Sequence, residues 1–143
     1  MEITEKLKEK LKSTFIDLIT KHDVRTFYFG GLSDFDDVCW QVVSELKNQY
    51  SDIKRVYCLS NRNWLNPCKR PQWLNNNDYE EIVYFELSFN YWYTRIYYRN
   101  CEMINRSDYL VFYAPPNPKS GAYKSLKYAL SKKKNIINLC DTS

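Results

Sequence analysis

Histidine and glycine are scarce in this chain of 143 residues, which has one histidine, His22, and three glycines. A single imidazole argues against histidine-based metal ligation and against a nucleophile activated by histidine. The five cysteines are scattered and show no CxxC spacing. Their odd number and wide spacing argue against a disulfide framework and against a zinc site. We therefore predict no metal site and no cofactor.

Long apolar runs are also missing. No run approaches the roughly 20 residues that a helix needs to cross a bilayer, and the charged N-terminus differs from a signal peptide. We therefore predict a soluble, cytoplasmic protein without a membrane partner. Lysine and arginine number 21 against 17 aspartates and glutamates, a net charge of +4. This excess suits a small anionic ligand, but it is too weak to indicate a dedicated nucleic-acid binder.

Apolar residues follow helix spacing in some parts of the chain and strand spacing in others. Residues 2–22 have apolar side chains at helical intervals, and Asp23 ends this pattern. Five β-rich runs follow at 24–29, 53–59, 82–87, 109–114 and 135–140, with helical patterns at 33–50, 89–107 and 121–134. Strands that alternate with helices form a parallel sheet covered on both faces. We predict a single α/β domain, 1–143, with an open parallel sheet of about five strands and an extra N-terminal helix.

A double glycine ends the first predicted strand. Gly30 and Gly31 allow close backbone approach, Ser33 can cap the following helix, and the amides at that helix start can hold an anion. The alternative is a plain tight turn. The acidic residues within 34–37 repel phosphate if they point inward.

A second group of candidate ligand-binding residues lies further along the chain. It consists of Arg95, Arg99, Asn100, Ser120, Gly121, Ala122 and Lys124. The two arginines share a helix face, and the small residues form a turn between a strand and the next helix. This combination indicates a site for an anionic, phosphate-bearing ligand at the carboxyl ends of parallel strands. For Arg99 the alternative is an ion pair with Glu102 or Asp108 on the helix surface.

Right-handed crossovers place the ends of the first and fourth strands on the same rim of a parallel sheet. We therefore expect the double glycine and the turn at 120–122 to line one crevice. The polar stretch 60–81 is either a lid, with Trp64 or Trp73 as stacking candidates, or a loop anchored by tryptophans that pack on the surface.

The segment 96–126 resembles the core of the Lonely Guy (LOG) phosphoribohydrolases. In that family a helix carries an Arg-Lys pair followed three positions on by Met, and a Pro-Gly-Gly-x-Gly-Thr turn precedes a helix that opens with two glutamates. The matching residues here are Arg99-Asn100-Cys101-Glu102-Met103 and the turn Pro115-Pro116-Asn117-Pro118-Lys119-Ser120-Gly121-Ala122. In size and layout the chain is most similar to the YpsA-like branch of the wider SLOG superfamily. The resemblance implies a Rossmann-like fold, a nucleotide-type ligand and a homodimer or higher oligomer.

The same resemblance assigns roles to single residues. Arg99 matches the arginine that contacts substrate phosphate or ribose, and Gly121 and Ala122 match the Gly-Thr pair whose amides bind phosphate. The positions of the catalytic glutamates hold Lys124 and Ser125. Because cleavage of an N-glycosidic bond needs a carboxylate, the resemblance implies a pocket that keeps its ligand and lacks the family's chemistry.

The preferred hypothesis is therefore a protein that senses or sequesters a nucleotide or a nucleotide-derived signal, such as an ADP-ribose-like molecule, without turnover. Two alternatives stay open. One is a nucleotide N-glycosidase or transferase that uses Glu102 or Asp34. The other is an interaction module whose aromatic and basic loop, 60–78, stacks on single-stranded nucleic acid or binds a protein.

Overall fold

The computed structural model describes residues 3–31, 33–74, 76–86 and 94–140. These residues have an α/β fold, and the chain divides into two compact units, Met1–Tyr84 and Phe85–Ser143. The α-helices are α1 Glu5–His22, α2 Asp34–Leu46, α3 Arg95–Arg106 and α4 Gly121–Ser131. The strands are β1 Thr26–Phe29, β2 Lys54–Leu59, β3 Glu81–Tyr84, β4 Tyr109–Phe112 and β5 Asn135–Asn138.

The first unit is a three-stranded parallel sheet with helices α1 and α2. The strand order is β1-β2-β3, and Val56 of β2 pairs with Glu81 of β3. The helix α1 begins where Thr4 accepts a hydrogen bond from the Leu7 amide, and it ends at Asp23, whose backbone is left-handed. The predicted N-terminal helix and its end at Asp23 are thus confirmed.

The second unit contains the parallel pair β4-β5 and the helices α3 and α4. Its core is formed by Ile104, Leu110 and Ala129, with three partly buried side chains packed against it, those of Phe112, Tyr128 and Ile136. One hydrophobic cluster therefore connects both helices with both strands.

Several predicted boundaries differ from the observed ones; the helix predicted at 33–50, for example, ends at Leu46. The helix predicted at 121–134 ends at Ser131, because Lys133 adopts a left-handed φ of 57°. The helix predicted at 89–107 is observed from Arg95, and its predicted part 89–93 lies outside the described residues. The described strands pair as one sheet of three and one sheet of two.

The stretch 60–81, for which we predicted a lid or an anchored loop, contains short helical turns. Three short 3-10 turns occupy Arg62–Leu65, Pro67–Lys69 and Asn76–Asp78. Glu80 anchors the end of this stretch to β2. Its carboxylate accepts hydrogen bonds from three groups of Arg55: the backbone amide at 2.8 Å, Nε at 3.0 Å and Nη2 at 2.7 Å. The hydrogen bonds from Arg55 lower the pKa of Glu80 to about 2.

This ion pair predicts a pH-dependent loss of stability. Glu80→Gln should lower the free energy of unfolding by ~1.5–3 kcal/mol at pH 7, the usual contribution of hydrogen bonds to charged groups. Since the pKa of Glu80 is lowered on folding, the wild-type advantage is fully present above about pH 4.5 and fades as the pH falls toward 2. Urea unfolding of both proteins across this range measures the difference.

Glu81→Gln is the matched control for this measurement. Glu81 lies 3.8 Å from Lys54, and both side chains are more than half exposed. Exposed pairs of this kind contribute ~0–1 kcal/mol, so this variant should stay close to the wild type. Equal losses in the two variants would contradict the role assigned to the Arg55–Glu80 pair.

Candidate functional site

The predicted residues of the first unit lie at the start of α2. Ser33 is the N-cap residue, as predicted, and its Oγ accepts a hydrogen bond from the Asp36 amide at 3.2 Å. In return the Asp36 carboxylate accepts hydrogen bonds from the Ser33 hydroxyl at 2.7 Å and from the Ser33 amide at 3.3 Å. The chain therefore supplies its own carboxylate at this helix start.

Gly31 makes room for that carboxylate. A Cβ atom on Gly31 would lie 1.9 Å from Oδ2 of Asp36, far inside van der Waals contact. The first turn of α2 also contains Asp34 and Asp37. An anion at this helix start would meet three carboxylates, so the electrostatics there oppose phosphate. Ligand binding by Gly30, Gly31 and Ser33 stays a prediction.

The predicted cationic residues of the second unit lie on α3. Arg99 is buried, with 4% of its surface exposed, and its Nε and Nη2 donate hydrogen bonds to Oδ1 of Asn100 at 3.2 and 3.1 Å. Arg95 is half-buried one turn earlier. The surface ion pair considered for Arg99 is wrong, because the side chain does not lie on the surface. Glu102 instead forms an ion pair with Arg106 at 3.4 Å.

The start of α4 is open and has no acidic residue in its first turn. Ser120 is the N-cap residue, and its Oγ accepts a hydrogen bond from the Tyr123 amide at 3.0 Å. Apart from its chain neighbours and the backbone of α4, no atom of the described residues lies within 4 Å of the position that a Cβ on Gly121 would occupy. Gly121, Ala122 and Lys124 are all exposed. The geometry at this helix start is thus the opposite of that at α2.

Helices α3 and α4 are neighbours whose C-terminal regions are joined by hydrogen bonds. The Tyr128 hydroxyl donates to Oδ1 of Asn105 at 2.8 Å, and Nζ of Lys134, three residues past the end of α4, donates to the Asn105 carbonyl at 3.2 Å. Arg99 and Ala122 each precede the Asn105–Tyr128 pair by six residues, toward the N-terminal ends of the two helices.

Asn138 holds the loop that leads to α4, a role that the sequence analysis missed. Its Oδ1 accepts a hydrogen bond from the Ala114 amide and its Nδ2 donates to the Ala114 carbonyl, both at 3.0 Å. The amide side chain thereby continues the pairing of β4 with β5 and fixes the backbone just before Pro115. The signal in the sequence was a polar residue directly after the apolar pair Ile136-Ile137.

Ser125 has a buried hydroxyl without a hydrogen-bond partner in the described structure. Only 5% of the residue is exposed, one turn into α4. Other hydroxyls in this chain bond to the preceding turn, as Thr14 does to the Lys10 carbonyl at 2.7 Å and Ser107 to the Met103 carbonyl at 2.6 Å. A buried polar group left unsatisfied costs ~1–3 kcal/mol, so Ser125 is a candidate contact for a ligand.

The two stacking candidates pack against each other. The rings of Trp64 and Trp73 meet edge to face at 5.7 Å, and Trp73 also meets Tyr57 at 6.1 Å. The interpretation of a loop anchored by tryptophans is therefore confirmed as a description of packing. Trp73 nevertheless keeps 46% of its surface exposed, and its stacking role stays a prediction.

No protein-family model and no curated protein matches this chain. Membership of the SLOG superfamily therefore stays a prediction. Within the described residues, no group of three or more His, Cys, Asp or Glu side chains is placed to hold a metal ion. None of the helices in the described part of the chain is long and apolar enough to cross a membrane.

The two glycine-containing helix starts should respond differently to a methyl group. Gly31→Ala should lower the free energy of unfolding by ~0.5–2 kcal/mol, because the added Cβ displaces Asp36 from its capping position. In a protein that already has Asp36→Ala, the substitution Gly31→Ala should lower the free energy of unfolding much less. Gly121→Ala, with open space at its Cβ, is the control and should cost nothing. Equal effects at both glycines in urea unfolding would contradict this account of the α2 start.

Proposed function

We propose that this chain is a Rossmann-like, SLOG-type protein that binds a nucleotide or a nucleotide-derived signal, such as an ADP-ribose-like molecule, and senses or sequesters it without turnover. The observation that carries the proposal is the open start of α4, which has no acidic residue in its first turn and is followed by the unsatisfied hydroxyl of Ser125. The remaining support comes from the strand order, the local charge and Arg99.

The strand order supports the fold in this proposal. The observed orders β1-β2-β3 and β4-β5, all with parallel pairing, both occur within the strand order 3-2-1-4-5. That order is typical of Rossmann folds. We therefore keep a single open parallel sheet of about five strands as part of the proposal. The homodimer or higher oligomer that the resemblance implies also belongs to it.

The local charge favours an anion at α4. The segment 109–140 contains six lysines and neither aspartate nor glutamate. Lys124 lies exposed in the first turn of α4, where the helix dipole is positive. The amides of Gly121 and Ala122 belong to the same turn, and amides at a helix start are well suited to hold phosphate oxygens.

Arg99 is the natural second contact for such an anion. Burial reduces the screening of its charge by water, and Asn100 orients its guanidinium. Arg99 and Ala122 belong to neighbouring helices of one unit, and each lies six residues before the Asn105–Tyr128 hydrogen bond that joins those helices. We expect this arrangement to bring a phosphate group at the start of α4 toward the buried cation.

The absence of turnover follows from the side chains at the glutamate positions of the resemblance. Lys124 is cationic and Ser125 is neutral, so neither stabilises a developing oxocarbenium-like cation or activates water as a carboxylate does. Of the alternative acids, Glu102 forms an ion pair with Arg106, and Asp34 lies in the first turn of α2. No contact of either residue favours hydrolysis.

A ligand search and a calorimetric titration test the proposal. Native mass spectrometry of the purified protein should detect a co-purified nucleotide-type ligand that leaves intact after heat denaturation, and should report the oligomeric state. In titrations with ADP-ribose and a nucleotide panel, Arg99→Gln should weaken binding by ~1.5–3 kcal/mol, the worth of a charge-assisted hydrogen bond. Lys124→Gln should weaken binding more than Lys127→Gln does. Lys127 is the matched position, because it is exposed one turn further along α4.

Two results would contradict the proposal. The first is unchanged affinity in Arg99→Gln when its circular dichroism shows an intact fold. The second is release of free base or ribose phosphate from the panel at high protein concentration, which would support the N-glycosidase alternative instead.

Ser125 gives a prediction with opposite signs for stability and binding. Ser125→Ala should raise the free energy of unfolding of the ligand-free protein by ~1 kcal/mol, since it removes an unsatisfied buried hydroxyl. The same variant should bind the ligand more weakly, because the hydroxyl can no longer form a hydrogen bond with it. Thermal unfolding with and without ligand measures both effects. The control is Ser131→Ala, because the Ser131 hydroxyl is exposed and already donates a hydrogen bond to the Tyr128 carbonyl at 2.6 Å. A lower free energy of unfolding in Ser125→Ala than in the wild type would contradict the prediction.

A further inference from the structure

The loop of residues 60–74, here called the tryptophan loop, is fastened at several points and yet exposes large apolar side chains. Asn61 and Asn66 each accept a hydrogen bond through Oδ1 from the amide two residues on, at 3.0 and 3.1 Å. At the end of the loop Leu74 is buried. Leu65 and Trp73 are nevertheless 45% and 46% exposed. Exposed apolar surface on an ordered loop indicates a place where another molecule binds.

The exposed ring of Trp73 is held from below by other aromatic rings. Trp73 packs edge to face on Tyr57, which is only 3% exposed and belongs to β2. Tyr57 in turn packs on Tyr79 at 5.2 Å. A ring fixed in this way loses little conformational freedom when a partner covers its exposed side.

The charged side chains of the tryptophan loop are all cationic. Residues 53–77 contain no aspartate or glutamate. Arg62 and Lys69 are exposed, and neither forms an ion pair with a carboxylate in the described part of the chain. The tryptophan loop thus combines an exposed aromatic ring with exposed cations, a combination that proteins use to bind single strands through base stacking and phosphate contacts.

We propose that the tryptophan loop is a docking surface for single-stranded nucleic acid. Trp73 stacks on one unpaired base, and Arg62 and Lys69 contact the flanking phosphates. An unpaired base is required because the bases of a duplex offer no free face to the ring. One exposed ring and two exposed cations limit the contact to a few nucleotides. The proposal depends only on residues of the first unit. Its test therefore gives a result that is independent of nucleotide binding at α4.

Fluorescence anisotropy with a labelled 12-residue oligothymidylate tests the proposal on the full chain. Wild-type binding should weaken with salt, with a slope near the ~0.7 per phosphate contact known for single strands. Trp73→Ala should weaken binding at least about fivefold, the lower end of the loss of one stacked base. Trp73→Phe should recover most of the affinity, which a merely structural role for the indole would not explain.

The double variant Arg62→Gln/Lys69→Gln should weaken binding and reduce the salt slope by about 1.4, two contacts' worth. Lys6→Gln/Lys12→Gln, which removes the same charge from exposed positions of α1, should leave both unchanged. Absence of oligothymidylate binding would overturn the proposal. Equal losses in the two double variants, or equally tight binding of polyglutamate, would also overturn it, since both outcomes mean attraction by diffuse charge alone.

Discussion

The amide groups at the start of a helix need hydrogen-bond acceptors, and this constraint is met differently at the two helices that follow β1 and β4. At α2 the chain supplies the acceptor itself, through the Asp36 carboxylate and the Ser33 hydroxyl. At α4 only a neutral hydroxyl, that of Ser120, caps the first turn. A helix start whose positive pole meets no internal carboxylate is suited to an external anion. This difference decides which of the two turns is the better candidate for phosphate.

The two glycines illustrate why a glycine in a strand–helix turn does not by itself indicate a ligand. Gly31 precedes a helix and Gly121 is the first residue of one, and both stand in the pattern that suggests close backbone approach. Gly31 is required by a side chain of the same molecule, whereas the space beside Gly121 is open. The presence of a glycine does not reveal which group occupies the space beside it. Beside Gly31 that group is the carboxylate of Asp36, the third residue of α2.

Much of the fold was predictable because its signals are local. The apolar spacing of α1, the stop at Asp23 and the cap at Ser33 all depend on a few consecutive residues, and all are observed. The end of α4 was predicted too late, since Lys133 adopts the left-handed conformation that usually calls for glycine, and a lysine gives no such signal. How the strands group into sheets depends on pairing between distant segments, which apolar spacing does not encode.

The site was harder to predict than the fold, because Arg99 and Ser125, two of its most informative residues, are polar and buried. Sequence patterns treat these two as surface residues, since arginine and serine are usually exposed, and they assign no pairing role to the exposed Asn138. Their roles come from the tertiary structure: Arg99 and Ser125 lie within the second unit, and Asn138 pairs with the backbone of Ala114. The chain positions of Arg99 and the 120–122 turn were predictable, but the burial of Arg99 beside Asn100 was not.

The two residues at the expected glutamate positions differ in a way that bears on the chemistry. Lys124 is exposed and adds positive charge at the helix start, whereas Ser125 is buried on the face of α4 that also holds Ala129. A carboxylate at position 125 would be buried on a helix whose other charges are all lysines, and it would offset them. With serine there, the charges of α4 are entirely positive. If this helix start binds a nucleotide, as we propose, its positive charge would favour the anionic ground state over a transition state with cationic ribose, and therefore holding the ligand over cleaving it.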